Sequence, residues 1–250
     1  MKFIILVAGT QELYNVKIIP KQTTGIYIGS IGSGWQKDTC LQIHKDAMLH
    51  SLRTSSHFQA LPSESQELLL QSVVGRIDQH LKSAAEENMI VHSLASVACG
   101  RIAQHFDLKG PHVSIDAGYS SSLAALEVGI RSLQEGSVDL SLVGGASEIL
   151  TPLNMIAFAK LGGLSRSLVR PFDAQADGTL LGEGTAMFAL KRLEDAIRDK
   201  EHIYAVIKGV GSSSDGQGKS LLAPDTRGQI IAMKRAYEDA GIEPQSIRYV

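Results

Sequence analysis

Five short apolar runs alternate along this chain with segments of helical periodicity, and that alternation restricts it to an α/β fold. The runs are Gly25 to Gly29, His112 to Asp116, Leu140 to Gly144, Thr185 to Leu190 and Ile203 to Val210. Together they make one sheet's worth of strands. Between them, Ile90, Leu94, Val97, Ala98, Ile102 and Phe106 share one helical face, and Gly110-Pro111 stops the helix. From Ser120 to Leu133 nearly every early position is small or apolar, as expected of a central helix enclosed on most sides. Thr226-Arg227-Gly228-Gln229 has the form of a capping box and leads into a last helix ending at Gly241. After it, Ile247 to Val250 reads as the opening of another strand, so the chain is expected to stop inside an element. Residues 31–85 read as polar and irregular.

Composition narrows the function classes. Of 250 residues, 44% are hydrophobic and 20% charged, a balance that excludes a disordered or collagenous chain. A formal net charge of −2 leaves no electrostatic footprint for nucleic acid or an anionic membrane. The start, Met1 to Gly9, is short for a signal peptide and lacks a small-x-small cleavage site, so it reads as a buried strand. The two cysteines, Cys40 and Cys99, indicate neither a disulfide framework nor a metal site, and reduced cytoplasmic thiols are expected.

Three familiar motifs fail. Gly211 to Ser220 ends in Gly-Lys-Ser, but Ser213 stands where a phosphate loop requires glycine. The glycines from Gly29 to Gly34 have the wrong spacing for a dinucleotide fingerprint and read as a loop. Gly118-Tyr119-Ser120-Ser121-Ser122 lacks the closing glycine of a hydrolase elbow. What remains is a strand from Val113 to Asp116, two small residues, and an abrupt entry into a helix at Tyr119. A side chain held there faces unpaired amide N–H groups and the positive end of a helix dipole, an arrangement suited to a thiolate or an oxyanion. Three serines before an apolar helix can equally be a cap.

The segment Gly110-Pro111-His112-Val113-Ser114-Ile115-Asp116-Ala117-Gly118-Tyr119-Ser120-Ser121-Ser122-Leu123 resembles the Gly-Pro-x-Val-x-x-Asp-Thr-Ala-Cys-Ser-Ser-Ser-Leu signature of β-ketoacyl synthases, of the polyketide and polyunsaturated-fatty-acid type. Asp139 to Gly145, Arg170 to Gly178 and Gly182-Glu183-Gly184 are similar to that family's following strand and loops. The resemblance implies the amino-terminal half of a thiolase-like fold, a mixed five-stranded sheet with a buried central helix, with a lead segment over 1–24, the domain over 25–224 and the start of the carboxy-terminal half over 225–250. It also implies an acyltransferase of fatty acid or polyketide biosynthesis. Acyl and malonyl groups would arrive on the phosphopantetheine of an acyl carrier protein, with no cofactor or metal held by the chain itself. A homodimer or heterodimer with a ketosynthase would form through the strand from Ile203 to Val210.

One departure limits the activity. Tyr119 stands where the family keeps its nucleophilic cysteine, and a phenol with an ordinary pKa near 10 is a weak nucleophile at neutral pH. Ser120 is the next candidate, but one helical step of about 100 degrees turns it away. The family's two catalytic histidines belong to motifs that none of the eight histidines here matches. Three readings stay open: a condensing enzyme unable to act by itself, a non-catalytic partner resembling a chain-length factor, and a decayed gene fragment.

Overall fold

The computed structural model describes residues 3–8, 19–30, 34–86, 94–148, 150, 152–217 and 223–249. They fall into two compact units, Gly32–Arg101 and the remainder. The larger unit holds a six-stranded mixed sheet: β1 (Phe3–Ala8), β2 (Thr24–Ser30), β3 (His112–Ile115), β4 (Leu140–Glu148), β5 (Glu183–Arg192) and β6 (Ala205–Ile207), in the order β3-β2-β4-β5-β1-β6. Strand β2 runs parallel to β3 and β4, and the other pairings are antiparallel. All five expected strands are present. The sixth is the amino-terminal run, whose backbone pairs with β5 and β6.

The run from Ile203 to Val210 contributes only Ala205–Ile207 to the sheet. Glycines explain the trimming. A Cβ on Gly209 would stand 2.5 Å from Ala240 N, and one on Gly211 2.3 Å from Ala232 O, so the chain leaves the sheet to run against the last helix, Thr226–Ala240. That helix is capped by Asp225, whose carboxylate accepts from Arg227 N at 2.8 Å, rather than by Thr226 as the capping box suggested. A carboxylate is the stronger acceptor for a helix amide. Beyond it lies a 3-10 turn, Pro244–Ser246, and no strand begins among the described residues that follow.

Packing of the larger unit centres on the helix Ser121–Gln134, which connects β3 to β4 and lies on one face of the sheet. Ala125, Ile130 and Leu133 meet Tyr27, Val138, Val143 and Leu190 in one buried cluster. Gly129 lets the helix approach, since a Cβ there would come 2.3 Å from Val143 Cγ1. The opposite side of this helix carries Leu123 and Val128 in the open, so it is buried on one face and not on most sides. Arg192 closes its carboxyl end by donating to Leu133 O at 3.2 Å and Val138 O at 2.9 Å.

The other unit is helical, where the polar sequence suggested irregular structure. It contains α1 (Gly34–Thr54), α2 (Ser56–Gln59) and α3 (Ser63–Glu86), and the division from the larger unit falls within α4 (Ala95–Phe106). Leu49, Phe58 and Ile77 are buried, and Lys45 pairs with Asp78 between α1 and α3. The remaining helices, in the larger unit, are α5 (Ser121–Gln134), α6 (Pro152–Lys160), α7 (Leu193–Arg198) and α8 (Thr226–Ala240). The start of the helix expected at residues 89–94 and the Gly218-Lys219-Ser220 run lie largely or wholly outside the described residues.

Candidate functional site

The entry into α5 is built from short-range hydrogen bonds. Asp116 Oδ1 accepts from Gly118 N at 3.1 Å, which bends the chain directly after β3, and Gly118 takes a positive φ of 59°. Two of the three serines are committed to this turn. The Ser120 hydroxyl donates to Ala117 O at 2.8 Å, and the Ser121 hydroxyl donates to Gly118 O at 2.5 Å while accepting from Ala117 N at 3.0 Å. Ser120 occupies the N-cap position without making a side-chain cap bond, so the serines shape the turn rather than cap the helix.

The first turn of α5 rests on a floor of paired glycines. Gly29 of β2 and Gly145 of β4 are register partners. A Cβ on Gly29 would stand 2.3 Å from Ser121 C and 2.4 Å from Ser122 N, and one on Gly145 2.8 Å from Ser122 Cβ. Only residues without side chains let backbone and helix approach this closely. The glycine run read as a loop therefore contributes Gly29 and Ser30 to a central strand.

A cavity of about 870 Å³ opens beside this helix start. Its walls combine Leu126 of α5, Val143 of β4 and Phe188 of β5 with Tyr119 and Ser122 at the turn. Val143 and Phe188 are register partners on the face of the sheet that α5 covers. Tyr119 is 79% exposed, and its ring meets Phe158 of α6 edge to face. It is the one titratable side chain among the described cavity residues. Cys99 is buried in α4.

The stretch that links the Arg170–Gly178 loop to the Gly182-Glu183-Gly184 loop borders the same cavity. Asp177 accepts from the Ser165 hydroxyl at 2.6 Å and Arg166 N at 3.2 Å, and these hydrogen bonds hold its carboxyl below the usual carboxylate range. Thr179 then pairs with Leu164 in a short bridge, and Leu181 turns inward. Glu183 Oε1 accepts from Leu150 N at 3.2 Å. The acidic residues of both motifs thus fix loop shape, and Thr179 and Leu181 reach the cavity wall. Sequence reasoning singled out Tyr119 and Ser120. It missed Ser122 and Phe158, which only the folded geometry distinguishes from their neighbours.

Comparison with known proteins agrees with this architecture. Residues 2–196 match the family model described as beta-ketoacyl synthase, N-terminal domain, and residues 204–250 match the corresponding C-terminal domain. A highly reducing polyketide synthase of Didymella fabae is 34% identical over 198 residues, 79% of this chain and 10% of that protein. Polyketide synthase PksN of Bacillus subtilis (strain 168) is 37% identical over 169 residues, 67% of this chain and 3% of that protein. Among solved structures, the ketosynthase from module 6 of the bacillaene synthase of Bacillus subtilis 168 superposes with a TM-score of 0.65 at 27% identity, covering 93% of this chain. The chain spans 33% of that solved ketosynthase and a tenth or less of these two synthases.

Proposed function

The chain belongs to the β-ketoacyl synthase family, and on that premise we propose that it is a ketosynthase-like domain of polyketide or fatty acid biosynthesis that engages acyl thioesters without condensing them. The observation that carries the reading is Tyr119. By the motif it stands at the family's nucleophile position, and it is the one titratable side chain among the described residues that line the cavity. A phenol that keeps its proton is a weak nucleophile toward a thioester at neutral pH. What is left is shape: an apolar chamber beside a helix start, open at the position where an acyl group would arrive.

Its partners on this reading are an acyl carrier protein, which delivers the thioester on phosphopantetheine in the cytoplasm, and a second ketosynthase chain. Two sheet edges are candidates for the pairing. The expected segment from Ile203 to Val210 offers the three residues of β6, whereas β3 offers four and leads straight into the Tyr119 turn. Single cysteines at Val206 and at Val113 with a zero-length oxidative cross-link distinguish the two edges, because only the pairing edge brings the twin thiols together.

The decisive experiment is intact mass spectrometry after incubation with an acyl-carrier thioester. An unchanged mass together with saturable binding is expected. A stable adduct on Tyr119 or Ser120 would overturn the non-condensing reading. Tight association with an active ketosynthase, again without acylation, would favour the chain-length-factor form of it.

A further inference from the structure

The segment from Ser165 to Gly178 is a loop with a closed neck. Leu164 and Thr179, which flank it, form a bridge, the Ser165 hydroxyl donates to Asp177, and Thr179 stands in the cavity wall. Near the tip, Asp173 Oδ1 accepts from Gln175 N at 2.7 Å and Arg170 donates to Gln175 Oε1 at 2.6 Å, so the tip is braced by its own side chains. Within this brace Phe172 has a φ of 61°, the one apolar residue with a positive φ among the described residues. Its ring is fully exposed, more so than any other large apolar side chain described. A bulky residue rarely adopts that backbone, and a ring in water forfeits its burial. Both costs fall on one side chain, which points to a contact supplied from outside this copy.

The surface around the loop complements itself. Leu168 and Val169 are exposed beside Phe172 in sequence, and Tyr119, Leu123 and Leu180 are exposed where they line the cavity at the loop's base. With about 150–250 Å² for each buried aromatic and less for each aliphatic, these six approach the about 800 Å² per partner of a stable interface. The loop also carries both signs of charge, Arg166 before its tip and Asp173 after it, both exposed. A two-fold axis sets one patch against itself, and this patch holds an apolar knob, an apolar socket, a cation and an anion.

We infer that two copies of this chain dock face to face through this patch, Phe172 of each entering the cavity of the other against Leu126, Val143 and Phe188. A volume of about 870 Å³ accepts a phenyl ring with room to spare. The contact is separate from the sheet edges at Val113 and Val206, and it does not depend on what else the cavity binds.

The test places a photoreactive benzophenone side chain at position 172 of the whole chain and mixes it with isotopically labelled native chain. After irradiation, adducts between position 172 and labelled peptides carrying Leu126, Val143 or Phe188 are expected. Adducts confined to one chain, adducts only on segments away from the cavity, or no adducts overturn the proposal. Sedimentation velocity at micromolar concentrations reads the same contact as an association constant. Phe172→Asp replaces a fully exposed side chain, so its melting temperature is expected to stay at the native value while dimer dissociation rises at least tenfold. Val113→Asp and Val206→Asp, on the two sheet edges, are expected to leave the cavity adducts in place. A native chain that stays monomeric, or a Phe172→Asp chain that associates as tightly as the native one, overturns the docking. If association is instead lost only in Val113→Asp or Val206→Asp, the dimer belongs to that sheet edge and the exchange of Phe172 is wrong.

Discussion

The rings of Tyr119 and Phe158 meet edge to face, with centroids 6.2 Å apart and planes inclined by 72°, so the turn before α5 is held against α6 by an aromatic pair. Tyr119 is nevertheless 79% exposed and stands at the amino end of a helix. A thiol at such a position is expected to ionise more readily than a free one. Tyr119→Cys should therefore be alkylated by iodoacetamide at neutral pH and should accept an acyl group from a thioester. In the same folded protein Cys99, with no exposed surface, stays unlabelled. Peptide mapping checks this, and protection of position 119 equal to that of Cys99 would contradict the geometry of the turn.

Two glycines of the site are glycine for different reasons, and their alanine substitutions should separate space from conformation. Gly29 lacks room, because its Cβ would press on the backbone at both Ser121 and Ser122. Neither is a flexible side-chain end, so Gly29→Ala should cost about 3 kcal/mol or more. Gly118 has open space but a φ of 59°, so Gly118→Ala should cost about 1–2 kcal/mol. Urea denaturation of both variants checks the order, and an equal or reversed pair of values would mean that the helix start does not rest on β2 as described.

How much of this was legible in the sequence depended on the scale of the signal. Strand β2 was readable because Ile26, Tyr27 and Ile28 are consecutive apolar residues buried side by side. Helices α1 and α3 were not, since few of their described residues are buried and Ile43 and Leu68 point outward, which blurs any apolar stripe. The last expected strand was overextended because Gly209 and Gly211 resemble ordinary strand interruptions until α8 is seen to pack on them. At the site, Tyr119 followed from a motif. Ser122 and Phe158 did not, because one serine in a row of three and one phenylalanine forty residues away acquire meaning only from which atoms face the cavity.

Lys191 is 2% exposed and donates to Glu201 at 2.8 Å and Asp199 at 3.0 Å, which ties β5 to the chain just past α7. The Glu201 side chain is 1% exposed, so removing its cation leaves a buried carboxylate without that partner. Lys191→Ala should destabilise the protein by about 3–5 kcal/mol, whereas Lys191→Met combined with Glu201→Leu should recover most of the loss. Chemical denaturation of the single and double variants measures this. A single-variant cost under about 1 kcal/mol would show that the pair is not desolvated.

Acid should weaken the fold through a small set of carboxylates. The hydrogen bond from Lys191 holds Asp199 below its ordinary value, those from Arg192 and Thr23 do the same for Asp139, and Arg227 lowers Asp225 to about 2. The sign follows from linkage: a carboxyl that binds its proton less readily when folded stabilises the native state above the unfolded pKa, near 3.9, and loses that contribution as pH falls through the folded value. The three groups do not count equally. Asp225 and Arg227 are two residues apart in sequence, so their pairing partly survives unfolding. Asp139 joins Thr23 and Arg192 across the sheet, and Asp199 depends on Lys191 from a neighbouring element, so both lose their partners when the chain opens. Urea midpoints measured from pH 7 to pH 2 should therefore fall more steeply for the native chain than for Asp199→Asn or Asp139→Asn. The curves should converge at the acid end, while Asp225→Asn should nearly parallel the native curve. Parallel curves for all three variants would mean that these ion pairs persist in the unfolded chain.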